Sequence, residues 1–130
     1  MSLARNNGFS GALFEISGAV PTNATWQEDI YFSDNGSPKD ISGLDWKMVF
    51  RCAEGNNIAD FTISTDDGTL SIVTDPDSGV NRILRINVAA GNLNVYNGEF
   101  IADLASRDDS GVVTLWGHGV VTFVYNPTVF

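Results

Sequence analysis

The sequence predicts an all-β fold, an antiparallel β-sandwich of about seven to nine strands. Three observations predict it. Leu44, Trp46, Met48, Phe50 and Cys52 alternate with Asp45, Lys47 and Arg51, and only Val49 breaks the pattern. That period of two belongs to a strand with one buried face. Further alternating runs follow at short intervals, each bounded by Gly, Asn, Asp or Pro, as in sandwiches and barrels. The one stretch with a helical look, Ala89 to Asn94, is too short to count as a helix.

The elements read as follows. Ala12 to Ser17 and Trp26 to Ser33 are strands, joined by a connector from Gly18 to Asn23. Asp34-Asn35-Gly36-Ser37-Pro38 is a turn cluster, and Ile41-Ser42-Gly43 leads into the clear strand, Leu44 to Cys52. Ala59 to Ile63 and Thr69 to Thr74 flank Ser64-Thr65-Asp66-Asp67-Gly68, and an Asp-Gly pair between alternating runs predicts a hairpin. Asp75 to Gly79 is a loop by its breaker residues. Arg82 to Ala89 is a strand with Leu84, Ile86 and Val88 on one side. Glu99 to Leu104 is the next, with Phe100, Ala102 and Leu104 sharing a face, and Arg107 to Gly111 turns the chain. Val112 to Tyr125 is a long last strand, in which Gly117 and Gly119 mark a bulge or bend.

Composition sets the limits. The length of 130 residues fits one domain, large enough to bury a core without disulfides or metal. We take 1–130 as that domain, with 1–11 as a flexible or vector-derived N-terminal segment. Apolar residues at 43% and charged residues at 18% argue against disorder. The net charge is −9, and the two lysines and five arginines are scattered. No basic face is therefore expected for nucleic acid, and anionic membrane is disfavoured for the same reason. One cysteine, Cys52, excludes an internal disulfide. No apolar run approaches the length of a membrane span, and no secretion signal is visible. Folding in the cytoplasm is the simplest expectation.

The turn motifs have an order. Gly36-Ser37-Pro38-Lys39-Asp40-Ile41-Ser42-Gly43 follows an aromatic strand and precedes a strand ending in Arg51. Ser64-Thr65-Asp66-Asp67-Gly68 comes next, then Gly98-Glu99-Phe100-Ile101-Ala102-Asp103-Leu104, and last a glycine-bearing strand. In that order, over roughly residues 25–125, the chain resembles a group of small phage virion domains. These occur in tail and baseplate proteins and as stand-alone prophage open reading frames. Phe100 departs from the group, where tyrosine is frequent. The resemblance implies an immunoglobulin-like sandwich that acts by assembly, with other virion proteins as partners. It carries over no catalytic residue, and it implies a chain made in the bacterial host's cytoplasm and then incorporated into the virion.

The chemistry-bearing residues point the same way. His118 is the single histidine and lies between two glycines, and no Gly-x-Ser-x-Gly elbow accompanies it. Cys52 falls on the inward face of its strand, where a cysteine packs as a small hydrophobe. Asp75, Asp77 and Gly79 start like a calcium loop but lack the downstream glutamate. Asp66-Asp67 and Asp108-Asp109 lie at turn tips, where aspartate favours the turn itself. No catalytic residue, metal ligand or cofactor is expected.

The last strand carries apolar residues on both faces. Such a strand is either central to the fold or covered by a partner. The candidate interface residues are Trp116, His118, Val120, Thr122 and Val124. The expected function is a non-enzymatic phage or prophage structural protein of the tail or baseplate type, in which copies of one chain could form a homo-oligomer. The alternative is a ligand-binding sandwich such as a carbohydrate-binding domain, which would expose at least two coplanar aromatic rings beside polar groups.

Overall fold

Trp46, Met48 and Phe50 point into the interior of the computed structural model, and the residues between them point out. The same alternation builds the other long strands. The structure describes residues 2–5, 14–15, 19–21, 24–52, 61–90, 92 and 98–124. Its strands are β1 (Ser2–Arg5), β2 (Phe14–Glu15), β3 (Ala19–Pro21), β4 (Trp26–Asp34), β5 (Ser37–Pro38) and β6 (Asp45–Cys52). They continue as β7 (Phe61–Ser64), β8 (Leu70–Val73), β9 (Ile83–Val88), β10 (Gly98–Arg107) and β11 (Val113–Val124).

These strands form two sheets. One has the order β2-β1-β4-β9-β8 with β5 beside β4, and the other has the order β3-β11-β10-β6-β7. With β1, β4, β9 and β8 in the places of A, B, E and D, and β6, β10 and β11 in those of C, F and G, this is the immunoglobulin strand order. The core lies between the sheets. Phe123, Trp26, Phe50 and Phe100 meet at one end, with the Phe123 ring 5.7 Å from Trp26 and 5.3 Å from Phe100. Phe32, Trp46 and Trp116 meet at the other, with Trp46 4.7 Å from Phe32 and 5.5 Å from Trp116. Ile30, Met48, Leu84, Ile86, Ala102 and Val121 are buried with them in the same interior.

Several sequence expectations change. The sheets are mixed rather than purely antiparallel, because β1 runs parallel to β4 and β3 runs parallel to β11. Within the segment 1–11, Ser2–Arg5 forms the strand β1, and the remainder lies outside the described residues. Ala19–Pro21, read as a connector, is the edge strand β3. The Asn35-Gly36 turn has positive φ at both residues, 51° and 82°. This is the backbone that closes a two-residue hairpin, and it leaves Ser37 and Pro38 paired with Asp34 and Ser33.

The Asp67-Gly68 segment does not close a hairpin. It carries the chain from β7 in one sheet to β8 in the other. Asp67 accepts from the Thr69 backbone N–H at 2.8 Å and from the Thr69 hydroxyl. Thr65 Oγ1 accepts from the Trp46 N–H at 3.0 Å, which pins the corner to β6. The Ala89 to Asn94 stretch lies partly, and Tyr125 wholly, outside the described residues.

Candidate functional site

The two-faced apolar last strand resolves into a change of phase. Along β10 and β11 the register runs evenly from Gly98 opposite Phe123 to Leu104 opposite Gly117. It then jumps, so that Ala105 faces Leu115. Trp116 is the extra residue of a β-bulge, and Gly117 takes a φ of 105° that a side chain would strain. Before the bulge the odd residues Val113 and Leu115 point outward. After it the even residues His118, Val120, Thr122 and Val124 do.

That shift separates the five candidate interface residues. Trp116 is buried, and its indole N–H donates to Ser106 Oγ at 3.0 Å. It belongs to the core and leaves the interface set. His118, Val120, Thr122 and Val124 remain on the outer face. Val113 and Leu115, which period-two counting assigned to the other side, join them and are 58% and 59% exposed. On the neighbouring strands the outward positions are Glu99, Ile101, Asp103, Ala105 and Arg107 of β10, and Asp45, Lys47, Val49 and Arg51 of β6. The register sets them in rows: Val113-Arg107-Asp45, Leu115-Ala105-Lys47, His118-Asp103-Val49 and Val120-Ile101-Arg51.

The charges of this face balance. Arg107 reaches Asp45 at 3.2 Å and Arg51 reaches Asp103 at 3.2 Å. β6 and β10 together present three acids and three bases outward, in a chain whose net charge is −9. The negative excess therefore lies elsewhere, and this exposed face combines apolar stripes with local neutrality.

The other candidates have structural roles. Asp75 is buried, and its carboxylate accepts from the Asp77 N–H at 3.0 Å, the Ser78 hydroxyl at 3.1 Å and the Arg82 guanidinium at 3.3 Å. Arg82 also donates to the Phe32 carbonyl at 3.0 Å, tying the loop to β4. Both Asp75 carboxylate oxygens thus serve the loop and its link to Arg82. These contacts, the Asp77 N–H first, hold the Asp75 carboxyl below the usual carboxylate range. A depressed folded value means stabilisation that is present above the unfolded value and lost as pH falls through the folded one. Asp75→Asn is therefore expected to lower the thermal midpoint at pH 7. The gap should close as pH drops below the ordinary aspartate range, and scanning calorimetry across that range checks it.

Asp108 likewise serves its turn, accepting from the N–H groups of Ser110 and Val112 at 2.9 Å each. Cys52 is half-buried against the core. His118 is exposed on the open face opposite Asp103. Trp26, Trp46 and Trp116 are all buried, so none of them is a stacking platform. Tyr31 is half-buried, with the Arg82 guanidinium 5.5 Å from its ring centre. With Gln27, Glu28 and Asp29 it lines a depression of about 390 Å³. This leaves the two coplanar exposed rings of a sugar platform without a counterpart among the described residues.

Fold and site together define an immunoglobulin-type β-sandwich with one exposed, charge-balanced apolar sheet face. No protein-family profile and no curated protein sequence matches the chain. Among solved structures it is similar to the N-terminal domain of phage TP901-1 ORF48. The likeness has a TM-score of 0.54 at 13% identity and covers 94% of each chain, a likeness of fold.

Proposed function

We propose that the chain is a non-enzymatic structural component of a phage or prophage particle, of the tail or baseplate type, working through protein–protein contact. The observation that carries this reading is the outer face of the five-stranded sheet. There Val113, Leu115, Val120 and Val124 stand exposed on one long strand beside balanced charges. Contiguous exposed apolar area of this kind marks an interaction site. The likeness to a phage protein domain over nearly the whole chain supports the particle setting, as does the order of turn motifs. On this reading the chain is made in the host cytoplasm, joins other virion proteins and uses no cofactor.

The polar side chains that chemistry would recruit support the non-enzymatic part. Ser106 accepts the Trp116 N–H, and Ser64 Oγ accepts the Asp67 N–H. His118 faces outward from a sheet rather than into a cleft. The direct test is mass spectrometry of density-purified particles from a producing strain. The chain is expected in stoichiometric amount with tail proteins. Its absence from particles, or saturable binding to a sugar, would overturn the reading.

A further inference from the structure

The outer face is self-complementary. Along β10 its outward residues run Glu99, Ile101, Asp103, Ala105, Arg107. A two-fold axis lying in the interface, across the strands at the level of Asp103, lays a second copy antiparallel on the first. Glu99 then meets Arg107 of the second copy, and Ile101 meets its Ala105. The register rows carry β11 along with β10. The same axis sets Val120 against the second copy's Leu115 and Thr122 against its Val113. At the axis each Asp103 already holds its own Arg51 at 3.2 Å. Like charges oppose at two places: Asp103 meets the second copy's Asp103 at the axis, and Lys47 meets the second copy's Arg51, twice by symmetry, on β6 to one side of the β10–β11 stripe.

We propose that this face binds a second copy of the same chain, sheet on sheet, through a two-fold axis at Asp103. Sheets packed face to face keep their strands within about 30° of alignment, which the antiparallel stacking satisfies. The rest of the molecule carries the negative excess, so the neutral face is where two copies approach with least repulsion. Strands about 4.8 Å apart rising about 3.4 Å per residue give the face on the order of 600 Å². Two copies would bury about 1,200 Å², the lower limit of stable complexes, so association should be reversible and concentration-dependent.

The inference deepens the assembly reading and rests on it for its biological sense, but the isolated chain tests it. Sedimentation velocity from about 1 to 200 μM is expected to show the mass rising from one chain towards two. Glu99→Arg and Arg107→Glu should each weaken the dimer roughly tenfold or more, and the double exchange should restore it. Both side chains are exposed, and circular dichroism is the check that each variant folds. A chain monomeric throughout, or a dimer indifferent to the single exchanges, would overturn the proposal. A monomer that still enters particles sinks only the dimer, and a dimer absent from particles sinks only the virion reading.

Discussion

Trp46→Ala is expected to destabilise the domain by about 3–5 kcal/mol, the cost of deleting a large buried aromatic and leaving a cavity. Trp46 is 1% exposed and sits between Phe32 and Trp116. Its backbone N–H and carbonyl also hold Thr65, and so the corner where the chain leaves one sheet for the other. The side chain thus anchors a core layer, while the backbone of the same residue anchors the join between layers. A domain of this size has about 5–15 kcal/mol of stability in all, so the substitution removes a large share of it. Denaturant titration followed by circular dichroism measures it, and a loss below about 1 kcal/mol would contradict this account of the core.

Leu115→Glu is expected to behave in the opposite way. Leu115 is 59% exposed and directs its side chain away from the core. A surface substitution of this kind changes stability by only about 0.5 kcal/mol or less. On the proposed interface it instead places a charge among apolar contacts, with no partner to neutralise it. The variant should fold as the parent does and lose association. Parallel melting and sedimentation runs check both halves, and a parent-like dimer in a folded variant would contradict the placement of the interface.

The contrast between these two residues shows what the sequence could and could not reveal. The inward face of β6 was legible because period two is local, and Trp46, Met48 and Phe50 obey it without interruption. Turn chemistry was legible for the same reason: Asn35-Gly36 and Asp108 act through neighbours only a few residues away. The destination of a turn is not local. Asp67-Gly68 closes a corner between sheets with the same residue types that would close a hairpin, and only the pairing partners of β7 and β8 distinguish the two.

The short strands β1 and β3 carry too few residues to show a period, and their parallel partners lie far along the chain. In β11 the glycines announced a bulge, but not which residue was extra. Counting through it kept Trp116 with the outward set and left Val113 and Leu115 out. The register opposite β10 corrects that by one residue, which in a strand reverses the face. The neutrality of the face was hidden for a similar reason. Asp45 and Arg107 become neighbours only when β6 pairs with β10.

The central claim is that this chain enters a phage particle through the outer face of β11. The most direct measurement supplies parent and Leu115→Glu chains in equal amounts to a strain producing the particles without its own copy. Mass spectrometry then reads their ratio in purified particles. The account predicts particles strongly enriched in the parent chain, with the variant left in the soluble fraction. Equal incorporation of the two chains, or neither chain in the particles, would contradict it.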